Sequence, residues 1–191
     1  VYPFNDWSEA VARDVRALIG TARACGAETI SLIPQNDGQA TANGERQAKL
    51  RISLKEIVPM LADSGIVALV EPLGFPRSSL RYKGELLETI DALGASRHVL
   101  MVHDTFHHTL AGDTDIFADR TGIVHISGVT DPRPGLDAME DAHRVLVDAD
   151  DRLGNVAQIR QFLDAGYDGV FSVECFSPLT HALTDPETEI R

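Results

Sequence analysis

The chain has 191 residues, with 17 Lys and Arg against 29 Asp and Glu, so its formal net charge is −12. That balance argues against non-specific nucleic-acid binding, which needs basic side chains to displace phosphate counterions. The longest apolar runs, Ile66–Val70 and Val99–Val102, fall far short of the roughly 20 residues of a membrane helix. Two cysteines, Cys25 and Cys175, cannot staple a disulfide-dense secreted scaffold. They are expected as reduced, mostly buried thiols of a cytoplasmic protein.

Residues 8–25 read as a helix, because Val11, Val15, Leu18, Ile19 and Ala22 recur at three- and four-residue steps. Asn5, Asp6 or Ser8 can cap its start, and Gly26 ends it. A strand follows over Glu28–Ile33, then a turn-rich loop over 35–45. A second helix covers about 47–64, with Leu50, Leu54, Ile57, Val58 and Leu61 on one face and Gly65 as its stop. Ile66–Glu71 is an apolar strand ending in a charge, and Pro72, Gly74 and Pro76 form the loop after it.

A third helix is predicted over about 84–93, a strand over His98–Asp104, and a short helix over about 113–120. The strand Gly122–Ser127 leads into an irregular stretch, 128–153, rich in Pro, Gly and Asp. A last helix runs from Asn155 to about Ala165, and Val170–Glu174 is the fifth strand. Helices therefore alternate with strands rich in Ile, Val and Leu that lack clean polar alternation. That pattern implies a parallel sheet covered by helices. The choice lies between a doubly wound sheet and a (β/α)8 barrel. No G-x-G-x-x-G turn follows any strand, so a dinucleotide fold has no positive support.

The chemistry concentrates at strand ends. The second strand ends in Val70-Glu71-Pro72, the third in Val102-His103-Asp104, followed by Thr105-Phe106-His107-His108. The fourth carries Val124-His125-Ile126, and the fifth ends in Val173-Glu174-Cys175. In parallel α/β folds the carboxyl ends of strands form the ligand face. Charged groups on apolar strands are costly unless paired or metal-bound. Taken singly, Glu71 is more simply a solvated or salt-bridged residue, His125 a core histidine, Asp104 a helix N-cap, and His108 a solvent-facing side chain. Four such residues on consecutive strands, all at one end, point to a shared site. Two Glu, one Asp and one His make a mixed oxygen and nitrogen set suited to one divalent ion, with Mn²⁺ first and Mg²⁺, Co²⁺ or Zn²⁺ as alternatives.

The order Glu, Asp-x-x-His, His, Glu on consecutive strands resembles the xylose isomerase-like TIM-barrel superfamily. The segments that carry the resemblance are Val67–Gly74, Asp104–His107, Val124–Ile126 and Phe171–Phe176. Within it, Asp151–Asn155, Glu174 and Ser177-Pro178 look most like inositol-catabolism sugar phosphate isomerase/epimerase-like proteins. The resemblance implies Glu71, Asp104, His125 and Glu174 as metal ligands. It implies Glu71 and Glu174 as the catalytic acid/base pair, and His107 as a substrate-binding residue. The implied reaction is isomerisation or epimerisation of a sugar, sugar phosphate or cyclitol ketone, by proton transfer through an enediolate held by the metal.

Expulsion of a β-hydroxyl at the same site would instead make the protein a dehydratase (a lyase), for instance on inosose. An endonuclease IV-like nuclease is a remote alternative, because it needs a basic groove and a His-rich cluster. Relatives often carry an Arg about six residues after the fourth-strand His. Here that position is Asp131, and Arg133, two residues on, is left outside the catalytic set. The implied partner is a small carbohydrate or cyclitol, with neither nucleic acid nor membrane, and a homo-oligomer is compatible with this.

A (β/α)8 barrel takes about 250 residues. Five strands are countable here, and the ligand-bearing four fit the last four of a barrel. The expectation is an N-terminally truncated TIM barrel, residues 1–191, holding strands four to eight of eight, with Val1–Phe4 as the exit of the third. Such a chain should expose two unpaired strand edges and be poorly stable and weakly active alone.

Overall fold

The computed structural model describes residues 1–38 and 42–189. The middle of the loop expected at 35–45 lies outside the described residues. Helix α1 spans Glu9–Cys25: the Ser8 hydroxyl accepts from the Val11 amide at 3.3 Å, and Gly26 closes the helix at φ 76°. It buries Val11, Val15, Ile19 and Ala22 of the stripe seen in the sequence, and Ala12 besides, while Leu18 is only partly buried. Strand β1 is Thr29–Leu32, and α2 runs over Asn43–Ser64, starting earlier than its apolar face suggests. Strand β2 is Val67–Val70, α3 Lys83–Ala92, and β3 Val99–Asp104.

The next helix departs from expectation. Helix α4 forms over Thr105–Ala111, immediately after β3, whereas 113–120 holds only one 3-10 turn, Ala118–Arg120. The cause is local: Asp104 Oδ1 accepts from the His107 amide at 2.9 Å and caps the helix, and Gly112 at φ 69° ends it. Strand β4 is Thr121–Ile126, α5 Asn155–Asp164 and β5 Val170–Val173. Two short helices follow, α6 Pro178–His181 and α7 Pro186–Glu189. The 128–153 stretch is irregular as expected, with two 3-10 turns and an antiparallel bridge between Gly128 and Val145.

The five strands pair in parallel in the order β1-β2-β3-β4-β5, a half-barrel. One large core lies where α1, α2 and α3 cover the sheet, with Leu54, Ile57, Leu61, Val70, Leu86 and Ile90 among its buried members. A second cluster, including Leu73, Phe75, Phe106, Leu110 and Leu153, sits at the carboxyl end of the sheet and underlies the site. Each fully buried side chain of this size stabilises the fold by about 1.5–3 kcal/mol.

The two outer edges differ. Val1 donates to the Ser31 carbonyl at 2.8 Å and accepts from Ile33 at 3.0 Å, the pattern of a parallel ladder onto β1. On the far side β5 has no further partner among the described residues, and Val170 and Val173 are 60% and 55% exposed. The expectation of two bare edges thus holds at β5, while the N-terminal segment covers part of β1. Cys25 is exposed and Cys175 half-buried, so the expectation of mostly buried thiols is corrected; both are free. Cys25 falls on the solvent side of α1, outside its apolar stripe. No described helix is long and apolar enough to cross a membrane.

Gly74 marks the tightest approach in this layer. A Cβ there would lie 2.2 Å from the His107 carbonyl oxygen and 2.9 Å from the Ala111 amide nitrogen. Gly84, inside α3, meets nothing within 4 Å. Chemical denaturation should therefore show Gly74→Ala destabilised by about 1–3 kcal/mol or more. Gly84→Ala should instead be stabilised by about 0.5–1 kcal/mol.

Candidate metal centre

The site residues come from consecutive strand ends, as the sequence predicts. Glu71 extends β2 by one residue, its amide bonded to Leu32 O, and Glu174 extends β5, its amide bonded to Ile126 O. Asp104 and His125 are register partners across β3 and β4. One potential ligand atom from each of Glu71, Asp104, His125 and Glu174 lies within 4.8 Å of the others. Their side chains are 7%, 0%, 14% and 30% exposed, so the cluster is largely withdrawn from water.

Three carboxylates so close require compensating positive charge. Burial drives the Glu71 pKa upward, reinforced by Asp104 and Glu174. Burial also opposes ionisation of Asp104, but Arg144 and His107 outweigh it and hold the carboxyl below its usual range. His125 Nδ1 lies 3.2 Å from Glu174 Oε2 and 3.7 Å from Glu71 Oε1, without the alignment of a hydrogen bond to either. Burial works against its charge, yet the two facing carboxylates push its pKa up to about 10. A buried ring nitrogen with no aligned partner, set among three carboxylates, is a donor set that fits a divalent cation. A divalent ion held there would take the place of the His125 proton.

Arg144 is the functional residue that sequence reasoning missed. It is 1% exposed, and its Nη2 donates to Asp104 Oδ2 and, at 2.9 Å, to Glu174 Oε2. Its Nε donates to Ser127 Oγ at 2.9 Å, and its guanidinium lies 5.1 Å from the Phe106 ring centre and 4.8 Å from that of Phe176. The only signal for it was that, of the three Arg in the polar 128–153 stretch, it alone is followed by an apolar run, Val145-Leu146-Val147. Arg133, the Arg weighed instead, is 87% exposed in its side chain and folds back onto Asp131.

His107, the expected substrate-binding residue, lies beside Glu71, with Nε2 3.9 Å from Glu71 Oε1. Phe75 and Phe106 pack against its ring, and its Nδ1 is buried without a partner. Glu71, His107, Arg144 and Glu174 all line one cavity of about 360 Å³.

His108 is not solvent-facing; it is buried. Its Nδ1 accepts from the Lys83 ammonium at 2.7 Å, as do His103 Nδ1 at 3.1 Å and Asp115 O at 2.8 Å. His103 Nε2 then donates to Gln158 Oε1 at 2.9 Å, and the Gln158 amide donates to Thr105 O and Leu153 O. This network locks α3, β3, α4 and α5 together behind Asp104. Burial lowers Lys83 to about 8; burial and the Lys83 charge hold His103 at about 3 and His108 at about 4.

The family model for the xylose isomerase-like TIM barrel matches residues 4–191. The chain belongs to that family. Among solved structures of the same fold is a xylose isomerase domain containing protein from Salmonella typhimurium LT2. It is 32% identical, with a TM-score of 0.88, over 99% of this chain and 69% of that one. An IOLI protein with a bound zinc atom matches at TM-score 0.86 and 20% identity, over 97% of this chain and 68% of that one. A 3-keto-D-glucoside 4-epimerase from E. coli matches at TM-score 0.68 and 16% identity, over 98% and 72%. No curated protein matches the chain. Family membership makes the five-stranded half-barrel part of a (β/α)8 architecture, as the sequence predicted.

Two outcomes test the centre. Elemental analysis should find about one divalent ion per chain, and Asp104→Ala should weaken its binding at least tenfold. His108 should also leave a mark on stability. Its folded pKa lies below the unfolded value of about 6.5, so between pH 6.5 and 4 the unfolded chain binds more protons and stability falls as pH falls. Urea unfolding across that window should be more pH-dependent in the parent than in His108→Asn, by at most about 1.4 kcal/mol per pH unit.

Proposed function

We propose that this protein is a divalent-metal-dependent isomerase or epimerase of a sugar, sugar phosphate or cyclitol ketone. The observation that supports it best is the pair Glu71 and Glu174, both within 4 Å of His125 Nδ1 and both lining one cavity. Two carboxylates in different surroundings suit the two halves of a proton transfer. Glu71 is buried with its pKa raised, whereas Glu174 is partly exposed and held by Arg144. That the epimerase named above shares the fold is consistent with this reading.

Glu71, Asp104, His125 and Glu174 would hold the metal, which when bound polarises a substrate carbonyl and acidifies the adjacent C–H bond. The residues of this chain do the rest. Glu71 accepts the proton from carbon. Glu174 delivers a proton either to the neighbouring carbon, giving isomerisation, or to the opposite face, giving epimerisation. His107 lies close enough to Glu71 to donate to the oxygen on which negative charge develops. Arg144 fixes Glu174 and Asp104 in place. Leu73, Phe75 and Phe176 line the cavity with apolar surface that keeps water from the reacting carbon.

The same reading includes a cytoplasmic enzyme with free thiols, and a barrel closed by further strands between the β5 edge and the segment that pairs with β1.

The test is solvent-deuterium incorporation by the metal-loaded protein. Ketose or inosose should exchange the hydrogen next to the carbonyl without loss of water. Glu71→Gln and Glu174→Gln, each assayed at saturating metal, should lower the exchange rate by about 10²–10⁴-fold. Unchanged rates would remove the two-carboxylate mechanism, and formation of a conjugated enone would make the enzyme a dehydratase.

A further inference from the structure

A second cavity, of about 450 Å³, lies where the first turn of α2, the loop after β2 and the first turn of α3 meet. Arg46, Arg77 and Arg81 all line it, in a chain whose net charge is −12. Glu85 is the one acid among the described lining residues, and it sits in the first turn of α3, where the helix amides offset its charge. Glu140 takes both ends of the Arg77 guanidinium, at 2.7 and 2.5 Å. The other two Arg have neutral partners. Arg46 donates to the Ser79 carbonyl at 3.1 Å and to Asn43 Oδ1. Arg81 donates to the Leu110 carbonyl at 2.7 Å, with its guanidinium 5.5 Å from the Tyr82 ring centre. These contacts orient two guanidinium groups and leave their charge without a carboxylate to balance it.

Two further groups call for the same kind of ligand. Arg81 Nε is buried without a hydrogen-bond partner. Such a donor is costly, and an acceptor that enters the cavity relieves the cost. Helix α2 opens at the cavity with Asn43 as its first residue, and its N-cap is Ala42, which offers no side-chain acceptor to the first amides. The start of a long helix carries partial positive charge and free amides, an arrangement that receives an anion. Two guanidinium groups with donors to spare, beside those amides, match the several acceptor oxygens of a phosphate better than the two of a carboxylate. The volume also leaves room for a small carbon skeleton. No described residue lines both this cavity and that of the metal centre. Phe75 lines the latter, and Arg77, from the former, lies over its ring at 4.4 Å from the centre.

We propose that this cavity binds a small phosphate monoester, held by Arg46, Arg81 and the opening amides of α2, at a site separate from the metal centre. Binding there requires neither the metal nor the isomerase reading.

The experiment is titration calorimetry of the full-length, metal-loaded protein, freed of unbound metal, with three probes: inorganic phosphate, glycerol 3-phosphate and glycerol. Phosphate and glycerol 3-phosphate should each bind at one site per chain, and glycerol should not bind. Arg46→Gln and Arg81→Gln should each weaken glycerol 3-phosphate at least tenfold. Arg133→Gln, at an exposed Arg outside the cavity, should change its affinity less than twofold. Arg46→Lys keeps the charge and loses the planar fork, so its affinity should fall between those of the parent and Arg46→Gln; it also serves as the second variant should Arg81→Gln fail to fold. Circular dichroism of the same samples reports folding. Stripping the metal with a chelator should change the affinity less than threefold. Absence of ester binding, equal binding of glycerol, undiminished binding in either folded Gln variant, or an equal loss in Arg133→Gln overturns the proposal. Binding that disappears with the metal overturns it as well, because the anion then sits at the metal centre.

Discussion

Everything at the carboxyl end of this sheet depends on balancing three carboxylates crowded into a poorly hydrated space. Left alone, Glu71, Asp104 and Glu174 would repel one another and lose hydration, and the cheapest response would be protonation or local unfolding. Arg144 prevents this. It reaches the cluster from the longest irregular segment, is held by the Gly128–Val145 bridge beside it, and sits between two aromatic rings. His125 supplies the remaining positive charge, and a divalent ion would take over that task. The irregular stretch is therefore not a tether between β4 and α5. It carries the counter-charge that lets the acids stand together.

Several residues serve the fold and the site at once. Asp104 caps α4 with one oxygen and faces Arg144 with the other. Capping starts the helix at Thr105, and that start delivers His107 to the cavity, two residues on. Gly74 lets the loop after β2 press against the His107 carbonyl, so the Glu71 loop and the His107 helix are set by direct contact. Behind them, Lys83, His103 and Gln158 fill the outer face of β3 with a fully directed hydrogen-bond chain. The pleat explains the division of labour: His103 points to the helices and Asp104 to the cavity, because neighbouring strand residues face opposite ways.

Most of the architecture was legible because it depends on local patterning. Apolar steps of three and four, with Ser8 before α1 and glycines after α1 and α2, located those helices. Apolar strands ending in a single charge located the ligand face. Helix α4 was not legible as such, since Thr105-Phe106-His107-His108 carries no amphipathic stripe; the helix exists because Asp104 caps it and because Phe106 and Leu110 are buried in the cluster beneath. His108 was misassigned to solvent for a related reason. Its burial comes from Lys83, 25 residues earlier, and no local pattern pairs the two.

The sequence by itself determined the alternating α/β order, the parallel sheet and the four residues Glu71, Asp104, His125 and Glu174, because strand ends and their chemistry are written in short contiguous segments. Tertiary structure alone decided which distant groups complete them. Arg144, and not Arg133, enters the cluster because a bridge between strand-like segments 17 residues apart turns it inward. Tyr2, Asn36 and Asp141 meet at one cavity only once β1, the N-terminal segment and the long loop are packed side by side. Contacts between residues far apart in the chain are set by packing, and packing leaves no periodic trace in the sequence.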